Sequence, residues 1–156
     1  MRRTRFPGGL LLALLAGVAL NGCASRVYSA VLGPDQGEIV AEQCSRPNPP
    51  RHESSWTPGP EDIRQLEQDL PALQAQVPAA WRDSMPVGDP KAYVRQYFGI
   101  LAHGRRLIYV NAFREPMANK EWQRYAIVVC DGGSGAWGAV YDPASRGFSD
   151  FAVNGA

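Results

Sequence analysis

The feature that most constrains the fold is a change in apolar spacing along the chain. Between Pro60 and Pro78 apolar residues recur three and four positions apart, as on one helix face. From Ala92 onward, strand-like segments alternate with turn-forming residues. The helical stripe is too short for a coiled coil and suits the covering of a sheet, so the sequence predicts an α+β fold. The stripe consists of Ile63, Leu66, Leu70, Leu73 and Val77.

The predicted helix has a clear start and a disturbed second half. Pro60 suits the first helical position, where its missing N–H group would have no intrahelical partner. Pro71 interrupts the stripe because its ring clashes with the carbonyl group four residues earlier. We therefore expect the helix to kink at Pro71, or to restart there, and to end at Pro78.

Five strands are predicted after the helix, and short connections favour an antiparallel meander. The strands are Ala92–Leu101, Arg106–Phe113, Tyr125–Cys130, Ala136–Tyr141 and Phe148–Val153. Glycine-containing turns at 102–105, 131–135 and 142–147 predict the hairpins. This order of one kinked helix followed by a sheet resembles cystatin-like and PepSY-like domains in outline, and the resemblance concerns architecture alone.

The segment before the helix is rich in proline. Residues 23–59 are predicted to form a tether and a Pro-rich loop, and residues 60–156 a single α+β domain. Short strands or turns are possible at Tyr28–Leu32 and Glu38–Cys44. We expect the residues before Cys44 to act as a flexible leash.

The N-terminus has the composition of a secretory signal. Arg2, Arg3 and Arg5 precede an apolar run from Leu10 to Leu20. In a helix this run would rise about 16 Å, roughly half of a hydrocarbon core. A signal peptide is therefore favoured over a permanent membrane span.

The end of the apolar run, Leu20-Asn21-Gly22-Cys23, resembles the lipobox of bacterial lipoprotein precursors. The resemblance implies that residues 1–22 are a signal peptide, that the chain is cut before Cys23 and that Cys23 carries the lipid. Ala24 and Ser25 are not the aspartate associated with inner-membrane retention, which implies the periplasmic face of the outer membrane. The alternatives are an uncut weak anchor, or ordinary cleavage to a soluble periplasmic or secreted protein beginning at Ser25.

The cysteine count predicts one disulfide bond. If lipid modifies Cys23, then Cys44 and Cys130 form an even pair in an oxidising compartment. The alternatives are two buried thiols, or a zinc site with His52 and His103. The spacing of these residues matches no metal motif, so we predict the disulfide and neither a metal nor another cofactor.

The charges nearly cancel, with 16 basic and 15 acidic residues, which argues against a nucleic-acid partner. Arginine and aromatic residues nevertheless recur along the predicted strands and could form one surface for an anionic ligand or an envelope protein. The alternative is a solvated sheet face on which arginine stems cover the aromatic rings. The candidate surface consists of Arg95, Arg106, Arg124, Tyr97, Tyr109 and Trp122.

No catalytic set is evident from the sequence. Ser134 lies in a glycine-rich turn that lacks the strand–turn–helix context of a nucleophile elbow, and both histidines are predicted on loops. We therefore predict a lipid-anchored cell-envelope protein with a non-enzymatic binding or structural role and a membrane-attached N-terminus. The alternative is a periplasmic inhibitor or ligand-sensing module that uses the Arg/aromatic sheet face.

Overall fold

A computed structural model describes residues 28–118 and 120–155; the predicted signal peptide and Cys23 lie outside these described residues. The predicted α+β class is confirmed. The two helices are α1 (Pro34–Ala41) and α2 (Pro60–Leu73). The strands are β1 (Ser29–Val31), β2 (Ser54–Trp56), β3 (Val94–Ala102), β4 (Arg105–Phe113), β5 (Ala136–Asp142) and β6 (Gly147–Val153).

The strands form one mostly antiparallel sheet. Its order is β1-β3-β4-β5-β6, and β2 also pairs with β3. The strands β3 to β6 are an antiparallel meander of four strands, whereas five were predicted for this part of the chain; the β3–β4 and β5–β6 hairpins are those predicted. The short strands β1 and β2 pair with successive parts of β3, in parallel at 95–97 and antiparallel at 99–101.

A β-bulge interrupts β6, which forms one end of the sheet. Ser149 lies opposite Val140 and Ala152 lies opposite Gly138, so two residues of β6 oppose one residue of β5. Asp150, one of these two, has a φ of 52°. The bulge therefore interrupts the regular row of backbone hydrogen bonds between β5 and β6.

Helix α2 covers one face of the sheet. It begins at Pro60 as predicted, and the Asp62 carboxylate accepts a hydrogen bond of 2.8 Å from the N–H group of Gly59. The predicted stripe is confirmed at its centre, because Leu66, Leu70 and Leu73 are fully buried. The predicted restart is wrong, since the helix runs through Pro71 to its end at Leu73, before the predicted end at Pro78. A 3-10 turn follows at Gln74–Gln76.

The segment predicted to be a tether instead belongs to the domain wherever the structure describes it. Strand β1 is confirmed, whereas Glu38–Cys44 is mostly helical and forms no strand. Pro34 begins α1 at the first helical position, where proline favours a helix, although the proline-rich composition of residues 23–59 predicts a loop there. Val40 of α1 is fully buried, and Gly37 lies directly on the ring of Phe98. Helix α1 thus covers the sheet face opposite α2.

The predicted strand Tyr125–Cys130 is wrong, and β4 pairs directly with β5. Residues 131–135 are therefore not a hairpin turn and contain a short 3-10 helix at Gly133–Gly135. The side chains that hold residues 126–131 are described below. None of the helices in the described ranges combines the length and apolar character needed to cross a membrane.

Candidate interaction site

The predicted Arg/aromatic surface does not exist as one surface, because layers cover both faces of the sheet. Arg95 is 2% exposed and Tyr97 is fully buried, and both lie on the face that α2 covers. The Tyr97 hydroxyl donates to Glu67 of α2 over 2.5 Å, and Arg95 Nη2 donates to the same carboxylate over 3.1 Å. Burial raises the pKa of Tyr97 well above its ordinary value. These two residues therefore join the helix to the sheet.

Tyr109 lies on the opposite face, beneath the buried guanidinium of Arg46. Arg46 Nη2 donates to the Tyr109 hydroxyl over 2.8 Å and to Asn111 Oδ1 over 2.6 Å. Arg46 Nη1 donates to Asn154 Oδ1 over 2.5 Å. All of these acceptors are neutral, and burial lowers the pKa of the guanidinium. A Cβ atom on Gly138 would lie 2.7 Å from Arg46 Nε, so the close approach of Arg46 requires glycine there.

Side-chain amides hold residues 126–129, and the Ser45 hydroxyl accepts a hydrogen bond from the N–H group of Asp131; we call residues 126–131 the amide-bonded segment. Ile127 N–H donates to Gln96 over 3.0 Å, and the Ile127 carbonyl accepts from Asn111 over 2.9 Å. Val129 N–H donates to a further amide over 3.3 Å. The segment has a strand-like sequence, but side chains take the place of a neighbouring strand. The amides belong to Gln36, Gln43, Gln96, Asn111 and Asn154.

Cys130 links the end of this segment to Cys44. Their sulfur atoms lie 2.03 Å apart, which agrees with the predicted disulfide pair. The bond joins positions separated by 86 residues. Because Gln43 and Arg46 flank Cys44, the disulfide fixes the part of the chain that supplies buried polar side chains to this face.

Arg106 lies in an open cleft beside the β3–β4 turn, which we call the hairpin cleft. The cleft has a volume of about 540 Å³. The Arg106 guanidinium lies 4.9 Å from the centre of the Trp56 ring, a cation–π contact. Arg105 forms an ion pair with Asp142, so acidic and basic groups both line the cleft. Its lining residues are Asp62, Gln65, Gly104, Arg105, Arg106, Asp142, Pro143 and Ala144.

Trp122 lies in a smaller cleft of about 230 Å³, which we call the aromatic cleft. The Tyr93 hydroxyl donates to the Ser134 carbonyl over 2.9 Å, and the Arg114 guanidinium lies 5.2 Å from the centre of the Tyr93 ring. Arg124, which is exposed, follows Trp122 in the same turn. The cleft is lined by Tyr28, Lys91, Ala92, Tyr93, Val94, Glu115, Trp122 and Gln123.

The two histidines lie in different parts of the domain. His52 Nε2 lies 3.0 Å from Glu38 of α1, and its ring packs edge-on against Phe98. His103 lies in the β3–β4 turn with a φ of 52°. Ser134 is in the 3-10 helix before β5. Within the described ranges, no group of three or more His, Cys, Asp or Glu residues is placed to hold a metal ion.

Comparison of the chain with protein-family models, curated proteins and solved structures found no match. The candidate site is therefore defined by the residues of this chain alone. The hairpin cleft lies where β3 ends and β4 begins, whereas the aromatic cleft lies where β3 begins and β4 ends. The predicted surface residues thus divide between two buried layers and two clefts at opposite ends of the sheet.

Proposed function

We propose that this chain is a lipid-anchored cell-envelope protein whose domain has a non-enzymatic binding or structural role on the periplasmic side of the outer membrane. The observation that carries the proposal is the distribution of the three cysteines. Cys44 and Cys130 lie at bonding distance, as suits an oxidising compartment. Cys23 closes the lipobox-like Leu20-Asn21-Gly22-Cys23 at the end of the apolar run, and it is the residue that the proposal acylates.

The hairpin cleft is the best candidate for contact with a partner. Arg106 presents a guanidinium that already lies against Trp56, and an arginine–aromatic pair is typical of the centre of a binding site. Because Arg105 is paired with Asp142, Arg106 is the cleft's main anchor for an anionic group of an envelope protein or ligand.

A second candidate function is a periplasmic inhibitor or ligand-sensing module. The observation that favours it is the size of the hairpin cleft, about 540 Å³, which falls in the range of small-molecule sites. In this case Arg106 would bind the anionic group of a small molecule. The two candidates differ in the size of the bound molecule and not in the residue that binds it.

The proposed architecture keeps the cystatin-like or PepSY-like outline for the unit formed by α2 and the strands β3 to β6. One helix lies across an antiparallel meander in that unit. An experimental structure superposed on representatives of both groups tests this part of the proposal. Fold likeness of this kind carries no function.

Mass spectrometry of the protein purified from bacterial membranes tests the anchor. We expect the wild type to begin at Cys23 with added acyl mass and to partition into the detergent phase. Cys23→Ala should lack the acyl mass and partition into the aqueous phase, whereas the control Ser25→Ala should behave as the wild type. A wild-type chain that begins at Ser25 without acyl mass would contradict the proposal.

Crosslinking in the native envelope tests the hairpin cleft. We expect Arg106→Ala to lose the crosslinked partner that the wild type retains, because its guanidinium supplies the charge. Arg51→Ala is the matched control, since Arg51 is an exposed arginine in a different surface cleft. An equal yield from the wild type and both variants would exclude the hairpin cleft. Binding of small anions by the purified wild type, but not by Arg106→Ala, would favour the ligand-sensing candidate.

A further inference from the structure

The distance between Cys23 and the first described residue limits how the domain can be placed at a membrane. Tyr28 follows Cys23 by five residues. Five residues span at most about 17 Å, even when fully extended. An acyl chain on Cys23 would therefore hold the backbone of Tyr28 within that distance of the modified cysteine.

Tyr28 is itself joined to the domain. Its carbonyl accepts a hydrogen bond of 2.8 Å from the N–H group of Arg95, at the start of β3. The nine residues of β3 run away from this point toward the hairpin cleft. A strand of this length spans about 30 Å, so the hairpin cleft lies well beyond the reach of the anchoring segment.

The side chains at the Tyr28 end are those found at bilayer surfaces. Tyr28 and Trp122 are half-buried at the aromatic cleft, and Lys91 is exposed at its edge. Tryptophan and tyrosine are enriched where membranes meet water, and lysine is attracted by anionic headgroups. Met117, on the loop that also carries Trp122, is 38% exposed. Glu115 also lines the cleft, so its charge offsets that of Lys91.

We infer that the aromatic cleft and the described residues of the loop after β4, 114–118 and 120–125, lie against the phospholipid surface, with the hairpin cleft directed away from the membrane. This inference rests on the acylation of Cys23 proposed above. The short connection to the acylated cysteine then fixes the orientation of the domain. The end with the aromatic cleft lies on the bilayer, and Arg106 faces the periplasm.

The two lysines of the chain, Lys91 and Lys120, provide a direct test. Lys91 lines the aromatic cleft, and Lys120 lies two residues before Trp122. A water-soluble amine reagent is applied to the acylated protein in vesicles of phosphatidylethanolamine and phosphatidylglycerol, and to Cys23→Ala in solution. The variant Arg106→Lys places a further amine at the hairpin cleft, as a reporter for that end of the domain. Its labelling also shows which fraction of the protein is sealed inside the vesicles and protected from the reagent.

We expect labelling of Lys91 and Lys120 to fall several-fold in vesicles, relative to the amine introduced by Arg106→Lys. Equal labelling at both ends of protein with confirmed acyl mass would overturn the orientation and leave the anchor standing. Protein without acyl mass would remove the anchor and the orientation together. A second variant, Trp122→Ala in the acylated protein, should restore part of the Lys91 labelling, because the aromatic contact is lost while the anchor is kept.

Discussion

The two faces of the sheet are covered in opposite ways. Under α2 the core is mostly apolar, and the buried Arg95 pairs with Glu67, whose side chain is 23% exposed. Under α1 and the amide-bonded segment, apolar clusters surround a polar centre that contains Arg46 and Asn111. One sheet thus combines burial driven by apolar area with burial that depends on hydrogen bonds.

The difference shows that the apolar face is built from residues that are close in the sequence, whereas the polar face joins residues that are far apart. Leu66, Leu70 and Leu73 are close in sequence, and their spacing alone places them on one helix face. Arg46 and Asn154 are 108 residues apart, and nothing in their local sequences links them. The polar face also has a stricter requirement, because a buried polar group that loses its partner costs more free energy than a formed bond gains.

Removal of the disulfide should have the largest effect on the unfolding free energy. It tests how far the polar face depends on this covalent bond. The double variant Cys44→Ala, Cys130→Ala should lose about 4–5 kcal/mol of unfolding free energy, since the bond closes a loop of 86 residues. Urea denaturation of the variant and of reduced wild type should give the same loss. A change below about 1 kcal/mol would show that the hydrogen bonds hold this face without the disulfide.

Truncation of the α2 stripe tests the apolar face. Leu70→Ala should lower the unfolding free energy by about 3 kcal/mol, because Leu70 is fully buried and the change leaves a cavity. Ile39→Ala is the control: Ile39 of α1 is 48% exposed, and its truncation should cost less than about 0.5 kcal/mol. Similar losses from both variants in urea denaturation would contradict the assignment of the main core to α2.

Two buried arginines allow the faces to be compared directly. Arg46→Met should cost about 2–3 kcal/mol, because the Tyr109 hydroxyl and two amide oxygens lose a buried donor. Arg95→Met should cost less, because the side chain of Glu67 is 23% exposed and can bind water, although the Tyr93 carbonyl and the Tyr97 hydroxyl also lose a donor. Hydrogen exchange should show faster exchange at Ile127 in Arg46→Met only. Equal costs would remove the distinction between the two faces.

The smallest effect should appear with pH at the edge of the α2 face. Arg146 hydrogen bonds to the Asp69 carboxylate and holds its pKa below the ordinary value, with a further contribution from the Tyr141 hydroxyl. A lowered pKa stabilises the fold above the unfolded pKa, and this stabilisation is lost as pH falls through the folded pKa. Thermal melts should therefore give the wild type a higher melting temperature than Asp69→Asn at neutral pH. The difference between the two melting temperatures should shrink as the pH is lowered. The control Asp83→Asn, at an exposed aspartate, should melt at the same temperature as the wild type at neutral pH.

Much of the fold could be predicted from local pattern. The start of α2, the two hairpins β3–β4 and β5–β6, and the cysteine pair all follow from residue spacing, turn residues or counting. Helix α1 could not be expected from composition, because the prolines of residues 23–59 indicate a loop, whereas Pro34 occupies the first helical position. Gly37 added to the difficulty, since glycine disfavours helices and is needed here for contact with Phe98.

The candidate site was less predictable, because it depends on which face each strand residue occupies. Arg95 and Tyr97 carry polar atoms, and their burial required acceptors on α2 that the strand sequence does not reveal. A signal for the polar centre was present in Gln96 and Asn111, which are uncharged amides within strands that are mostly apolar in their central parts. Their partners in the amide-bonded segment could not be read from those strands. Arg106 could be expected to be exposed because it is the second residue of β4 and lies beside the β3–β4 turn.

The bulge in β6 has a consequence for encounters between copies of the chain. An outer strand with a regular row of backbone donors and acceptors can pair with the same strand of a neighbouring molecule and start aggregation. In β6 the extra residue, together with the positive φ of Asp150, breaks that row near its middle. A charged side chain stands at the same place. Crowded molecules would therefore meet an irregular border that resists stacking into a continuous sheet.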